Sequence, residues 1–156
     1  MKKYFLYSVL LFCLNSCEEN VKFNNPSFQG VKDNIFWRAI TTSATVNTAG
    51  VVTINAYTRD EQVTLKTNGS AVKTYELGVN NAITATYVQT NTSGNLSYAT
   101  STGKGDGQII ITEYDNINNT ISGTFRFNAV NTVANSTAEP VLNFQQGVFY
   151  KVPVQP

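Results

Sequence analysis

The sequence predicts an all-β protein, either an antiparallel β-sandwich or a partly closed barrel of about eight to ten strands, after an N-terminal lipoprotein signal peptide. Beyond the first 26 residues, apolar and polar residues alternate repeatedly with period two, which is typical of strands buried on one face. No segment keeps the i, i+3, i+4, i+7 spacing of an amphipathic helix for three turns. Clusters of Gly, Asn, Asp and Ser separate the alternating runs, as turns between short strands do.

Two neighbouring strands and the turn between them give the clearest pattern. Residues 107–114 contain three successive isoleucines, which suit a strand covered on both faces near its middle. Residues 120–128 place apolar side chains on one face and polar ones, Arg126 among them, on the other. The Asp and Asn residues of 115–119 tolerate left-handed backbone. The pattern therefore predicts a β-hairpin over 107–128.

The other candidate strands are shorter and show the same alternation. A polar insert at 131–140 predicts a surface loop before the last strand, and Pro153 is expected to end that strand. The remaining strands are predicted at 35–42, 51–59, 62–67, 72–77, 82–89, 96–100 and 143–152. The predicted core comprises Ile54, Leu65, Leu77, Ile83, Ile109, Ile111, Ile121, Phe125, Phe127 and Phe149.

The N-terminus has the features of an export signal. A basic start is followed by an apolar run over 4–14, which is shorter than the roughly 20 residues that span a bilayer. Leu14-Asn15-Ser16-Cys17 resembles the bacterial lipobox, and that resemblance implies cleavage between Ser16 and Cys17 and acyl chains on Cys17. Two or three such chains would hold the protein on a membrane without spanning it. The alternatives are an ordinary signal peptide with a chance cysteine, or a buried helix.

We therefore divide the chain into a signal peptide at 1–16, a lipidated N-terminus and tether at 17–26, and one β-sandwich domain at 27–156. Glu18 and Glu19 resemble the signal that sends some lipoproteins of Bacteroidota to the outer face of the outer membrane. The alternative is that they begin an ordinary solvated tether. The expected location is the outer membrane, with the domain either on the cell surface or in the periplasm.

Composition excludes several classes of function. The chain has no histidine, which excludes Ser-His-Asp and Cys-His catalysis and imidazole-ligated metals. Removal of Lys2 and Lys3 with the signal peptide leaves a net charge of about −1 without a basic run, so we expect no nucleic-acid partner. Cys13 lies in the leader, so the domain has no thiol for disulfides or metal binding. We expect no cofactor and no metal.

Glu113 and Asp115 are the candidate catalytic carboxylates. Glu113 and Asp115 are two residues apart at a strand end, where their side chains could project on one face about 7 Å apart, within the range used in glycoside hydrolysis. The alternative is a solvated strand end with Asp115 capping the turn. No nucleophile and base pair accompanies them, so the favoured expectation is a non-enzymatic protein.

Aromatic residues supply the candidate ligand contacts. Trp37, Tyr57 and Tyr98, with Tyr87, could form a flat platform for sugar rings. The alternative for Trp37 is packing in the core or over one end of the sandwich. Arg126 is expected to be a solvated or cross-strand-paired charge, with an anion site as its alternative.

Three stretches resemble a known family. GQIIITEYDNINNTISGTFRFNA at 107–129, FQGVKDNIFWRA at 28–39 and QGVF at 146–149 are similar to a family of Bacteroidota lipoproteins that is catalogued as a domain of unknown function. This resemblance implies no activity and no site residue.

We therefore expect a lipid-anchored envelope protein whose β module binds a glycan or an envelope protein. The alternatives are a glycan-active enzyme that uses Glu113 or Asp115, and a purely structural envelope component.

Overall fold

The computed structural model describes residues 27–91 and 94–155. The signal peptide, the cleavage position Ser16, the lipobox residue Cys17 and the tether lie outside the described residues. No helix that is long and apolar enough to cross a membrane occurs within the described residues.

The described residues form eleven strands, and the all-β prediction is confirmed. All pairings are antiparallel except one short parallel pairing between the third and the last strand, so the sheet is mixed. In chain order the strands are β1 Ser27–Lys32, β2 Ile35–Arg38, β3 Thr41–Val46, β4 Val52–Tyr57, β5 Glu61–Thr67, β6 Thr74–Leu77, β7 Thr84–Asn91, β8 Gly94–Ala99, β9 Asp106–Asp115, β10 Thr120–Asn131 and β11 Val141–Gln155.

The strand count exceeds the prediction because residues 27–46, where one strand was predicted, form three. Asp33 and Asn34 both have positive φ, at 46° and 66°, and this backbone makes a tight two-residue turn between β1 and β2. After β2 the chain crosses to a different set of strands at Ile40, whose N–H donates to the carbonyl of Tyr57 at 2.7 Å. β3 then pairs with β4.

The pairings close a ring of seven strands, in the order β11, β3, β4, β5, β7, β8 and β10, with β10 returning to β11. β2 and β1 extend the sheet beyond β11, and β9 and β6 extend it beyond β10. The described strands therefore form one continuous sheet that closes on itself, and its two opposite sides are called here layers. One layer has six strands, ordered β2-β1-β11-β10-β9-β6, and the other has five, ordered β3-β4-β5-β7-β8.

The last strand joins the two layers because it bends twice. The register between β10 and β11 shifts opposite Arg126 and opposite Ser122, where Gln146 and Lys151 have φ of 52° and 48°. Each shift inserts one extra residue into β11, which is a β-bulge. Beyond the second bulge β11 leaves β1 and pairs with β3.

The prediction that Pro153 ends the last strand is wrong, because β11 continues to Gln155. Pro153 still pairs with Thr120 of β10. On its other side it lies between the end of the β1 pairing at Tyr150 and the start of the β3 pairing at Val154. The N–H that proline lacks therefore has no partner strand there, which is the situation in which sheets tolerate proline.

The inward faces of the two layers form one core. All ten residues of the predicted core are buried. The predicted hairpin is also confirmed, because β9 and β10 pair along their length around a turn in which Asn119 has a φ of 50°. The centre of the six-stranded layer is aromatic, with the Phe125 ring centroid 4.7 Å from that of Phe28 and 5.2 Å from that of Phe144.

Candidate functional site

A partly buried cluster of polar side chains joins the two layers at one end of the sandwich. Lys32 and Trp37 come from the β1–β2 hairpin, and Glu61 and Tyr87 come from β5 and β7. Lys32 Nζ and the Tyr87 hydroxyl donate to Glu61 Oε1, and the Trp37 indole N–H donates to Glu61 Oε2. Lys32 Nζ also donates to the Tyr87 oxygen at 2.8 Å and lies 4.7 Å from the centre of its ring.

Hydrogen bonds stabilise the ionised form of Glu61 in this cluster. Burial opposes ionisation of Glu61, but the bonds from Lys32, Tyr87 and Trp37 outweigh it and lower the pKa of the carboxyl. Burial and the adjacent Glu61 carboxylate raise the pKa of Tyr87 well above its ordinary range. The Lys32 and Glu61 side chains keep 18% and 16% of their surface exposed. Both carboxylate oxygens of Glu61 are occupied, so the cluster fastens the hairpin to the other layer.

The aromatic residues expected to form a sugar platform do not share one exposed surface. Trp37 is 5% exposed and Tyr98 is 4% exposed. Trp37 packs edge-on against Phe28 and Phe144, with ring centroids 6.0 and 5.6 Å away, which corresponds to the alternative of core packing. Tyr87 is also buried.

Tyr57 is more exposed, at 38%, but it belongs to the five-stranded layer. It lines a depression of about 150 Å³ beside the β4–β5 turn, together with Arg59 and Asp60. Its hydroxyl accepts a long hydrogen bond of 3.4 Å from Gln62.

The outer face of the six-stranded layer carries a different set of ligand-type side chains. Strand pairing aligns them in two ladders that run across the strands, called here the first and second ladder. From β2 to β6, the first ladder is Phe36, Val31, Gln145, Arg126, Gln108 and Glu76, and the first bulge of β11 interrupts its register between Gln145 and Arg126. The second is Arg38, Gln29, Val148, Thr124, Ile110 and Thr74.

A shallow depression of about 410 Å³ lies in this face over the first bulge of β11. Gln108, Arg126, Gln145 and Gln146 line it. Arg126 donates to Gln108 Oε1 at 3.3 Å, so it forms a cross-strand pair. The amides of Gln145 and Gln146 form no side-chain hydrogen bond within the described part of the chain.

Phe36 is the exposed aromatic of this face, and the sequence interpretation missed it. It is 66% exposed and pairs with Val31, which pairs in turn with Gln145. Its neighbour Trp37 points inward. Alternation along a strand requires these two rings to face opposite ways, and that signal was present in the sequence.

The two candidate carboxylates lie at the β9–β10 turn. Asp115 caps the turn by accepting from the backbone N–H of Ile117 at 2.8 Å and of Asn118 at 3.0 Å. These bonds and one from the Asn118 side-chain amide lower the pKa of Asp115. Glu113 is exposed and accepts a long hydrogen bond of 3.4 Å from the Ser122 hydroxyl. Asp115 therefore has the role that the capping alternative describes.

Within residues 27–91 and 94–155, no three His, Cys, Asp or Glu side chains are grouped so that they could hold a metal ion.

Comparison with known proteins gives a family without an assigned activity. Searches of curated proteins and of solved structures found no significant match. A scan against protein families matches residues 24–153 to a domain of unknown function, DUF6252. The match covers all eleven strands except the last two residues of β11. The chain therefore belongs to the DUF6252 family of domains of unknown function.

Proposed function

We propose that this protein is a non-enzymatic binding module of the cell envelope, and that the outer face of its six-stranded layer binds a glycan. The observation that carries the proposal is the depression over the first β11 bulge, which brings free amides and a guanidinium to one open surface. Planar amides and guanidinium groups suit the paired hydroxyls of sugars, and the exposed ring of Phe36 in the same ladder offers an apolar contact.

A non-enzymatic role is supported by how the carboxylates are used. Asp115 is engaged in capping its turn, and both oxygens of Glu61 accept hydrogen bonds within the polar cluster. Glu113 has no second carboxylate aligned with it in the β9–β10 ladder, because it pairs with Ser122. The partner that the sequence offers for Glu113 is Asp115, and the use of Asp115 in the turn supports a role other than glycoside hydrolysis.

The proposed anchor is a set of acyl chains on Cys17, after removal of residues 1–16. It is supported by the lipobox resemblance of Leu14-Asn15-Ser16-Cys17. Acyl chains at this position would hold the protein at the outer membrane, and the tether would lead to β1. We propose that the domain lies on the cell surface, which the Glu18–Glu19 pair supports.

The anchor is tested with Cys17→Ala. The variant should leave a larger precursor and lose metabolic labelling by palmitate, whereas Cys13→Ala should be processed and labelled normally. Persistent labelling of Cys17→Ala would contradict the cleavage assignment. Protease shaving of intact cells then locates the domain, with a periplasmic protein as the leakage control. A domain that is cleaved only after the outer membrane is opened would contradict surface exposure.

Glycan binding is tested with the purified full-length protein in detergent, on a panel of immobilised polysaccharides. We expect binding to at least one member, loss of binding in Phe36→Ala, and no loss in Ile117→Ala. Ile117 is a suitable control because it is 92% exposed at the β9–β10 turn, away from the two ladders. Hydrolysis of any bound member would contradict the non-enzymatic role. A folded protein that binds no member would contradict the choice of a glycan.

A further inference from the structure

We infer that the ligand is an acidic oligosaccharide whose sugar carboxylate is held by Arg126, and that its chain runs across the outer face from Arg126 towards Phe36. This inference rests on the proposed glycan-binding function and names the class of glycan. Its basis is the Arg126 guanidinium, which has no carboxylate partner among the described residues, and the arrangement of amides around it.

Arg126 is held in place without being neutralised. Its guanidinium donates one bond to Gln108 Oε1, and the one ion pair among the described residues joins Lys32 to Glu61. A guanidinium has five N–H donors in a fixed fork that matches a carboxylate bidentately. Arg126 therefore keeps donors free for a ligand anion, while Gln108 fixes the orientation of the side chain.

The position of Arg126 is also set by the sheet. The alternation of β10 places Phe125 and Phe127 in the core and turns Arg126 outward. Opposite it, the bulge in β11 places Gln145 and Gln146 where a regular strand would have one residue. Two amides thus stand beside one guanidinium, and they would bind the hydroxyls next to a sugar carboxylate.

The charges of the face give the ligand a direction. In the two ladders, the charged residues on β2, β1, β11 and β10 are Arg38 and Arg126, both positive. Acidic residues lie on the other side of Arg126: Glu76 of the first ladder on β6, and Asp106 on β9 in the next row, where it pairs with Asn128. An anionic chain bound at Arg126 is therefore repelled towards β2 rather than towards β6.

The same geometry sets the length of the ligand. Phe36 and Arg126 lie in one ladder, three strand spacings or roughly 14 Å apart. Val31 and Gln145 fill the positions between them. A single sugar bound at Arg126 would not reach Phe36, so we expect affinity to rise with chain length until the Phe36 contact is made.

The test uses full-length protein in detergent and three probes of equal chain length: oligogalacturonide, its methyl ester and a neutral galactan oligomer. The wild type should bind oligogalacturonide, and esterification should weaken binding by about tenfold or more, since a charge-assisted contact is lost. Arg126→Gln should show the same loss for the acid and little change for the ester. Lys66→Gln is the matched control, because it removes one exposed positive charge from β5 of the other layer.

Phe36→Ala tests the direction of the chain. It should weaken binding of long oligogalacturonides and leave that of the monosaccharide unchanged. Thermal unfolding of each variant verifies that it is folded.

The outcomes separate the two proposals. If galactan binds as tightly as oligogalacturonide and Arg126→Gln has no effect, the carboxylate inference is overturned while glycan binding stands. If folded wild-type protein binds none of the sugars on the wider panel, the proposed function itself fails. If the acid binds but Phe36→Ala and wild type do not differ at any length, the assigned path across the face is wrong.

Discussion

Glu61→Gln removes the charge at the centre of the polar cluster and should destabilise the protein. Glutamine keeps one acceptor oxygen but replaces the other by an NH2 group, which must face either the Trp37 N–H or the Lys32 ammonium. At least one charge-assisted hydrogen bond therefore becomes a contact between two donors. Such a bond contributes about 1.5–3 kcal/mol.

The exposure of the pair limits the total effect. Breaking a fully buried ion pair costs about 3–5 kcal/mol. Because Lys32 and Glu61 keep 18% and 16% of their side-chain surface exposed, water can partly replace the lost contact. We expect the free energy of unfolding to fall by about 2–3 kcal/mol, and Tm to fall by roughly 6–12 °C.

The assay is urea and thermal unfolding followed by circular dichroism. Glu113→Gln is the matched control, since Glu113 is exposed and accepts one long hydrogen bond; it should change stability by less than about 0.5 kcal/mol. A double-mutant cycle with Lys32→Met measures the coupling directly. If Glu61→Gln is no less stable than Glu113→Gln, the cluster does not fasten the hairpin and the reasoning is refuted.

The stability difference between the wild type and Glu61→Gln should depend on pH. The pKa of Glu61 is lowered in the folded state from its ordinary value of 4.5. Its ionised form therefore stabilises the fold fully above that value, and this contribution is lost as the pH falls through the folded pKa. The stability difference between wild type and Glu61→Gln should be largest at neutral pH and narrow below about pH 4.5. A difference that grows on acidification would contradict the assignment of Glu61 as the stabilising carboxylate.

Three further predictions concern the six-stranded layer. Gly147→Ala should destabilise the protein by about 1–3 kcal/mol, because the added Cβ would lie 2.6 Å from the buried ring of Phe125. Urea unfolding measures this change, and unchanged stability would contradict the described packing. Gln146→Val should lower the unfolding midpoint and Gln146→Asn should not, because a β-branched side chain is disfavoured at its φ of 52°; equal midpoints would argue against the bulge. Asp115→Ala should accelerate hydrogen exchange at the backbone amides of Ile117 and Asn118, because both N–H groups donate to the Asp115 carboxylate. Unchanged exchange would show that these hydrogen bonds do not stabilise the turn.

Local sequence signals predicted the elements that depend on local chemistry. The Asp and Asn residues of 115–119 predicted the turn between β9 and β10, and alternation predicted every core residue named from the sequence. The same rules missed β1, although Asp33-Asn34 has the left-handed backbone of a two-residue hairpin turn. The predicted strands begin at residue 35, so this turn signal was not used.

The features that depend on distant residues had no local signal. Lys32 and Glu61 are 29 residues apart, so their pairing follows from the way β1 and β5 face each other across the sandwich. The bulges in β11 occur at Gln146 and Lys151, whereas the residue usual at a left-handed bulge position is glycine. The outer-face depression depends on the first of these bulges, and so the sequence alone did not predict it.

The closure of the sheet through β10 and β11 also bears on how crowded copies of the protein would behave. Among the described strands, the five-stranded layer is joined to the other layer at both of its margins, over two residue pairs at each. The strands that end the order of pairing are β2 and β6, each four residues long. Short edges give a neighbouring chain few backbone groups with which to pair. If the domain is held on a membrane, where diffusion in two dimensions brings copies together often, this architecture would disfavour fusion of their sheets into aggregates.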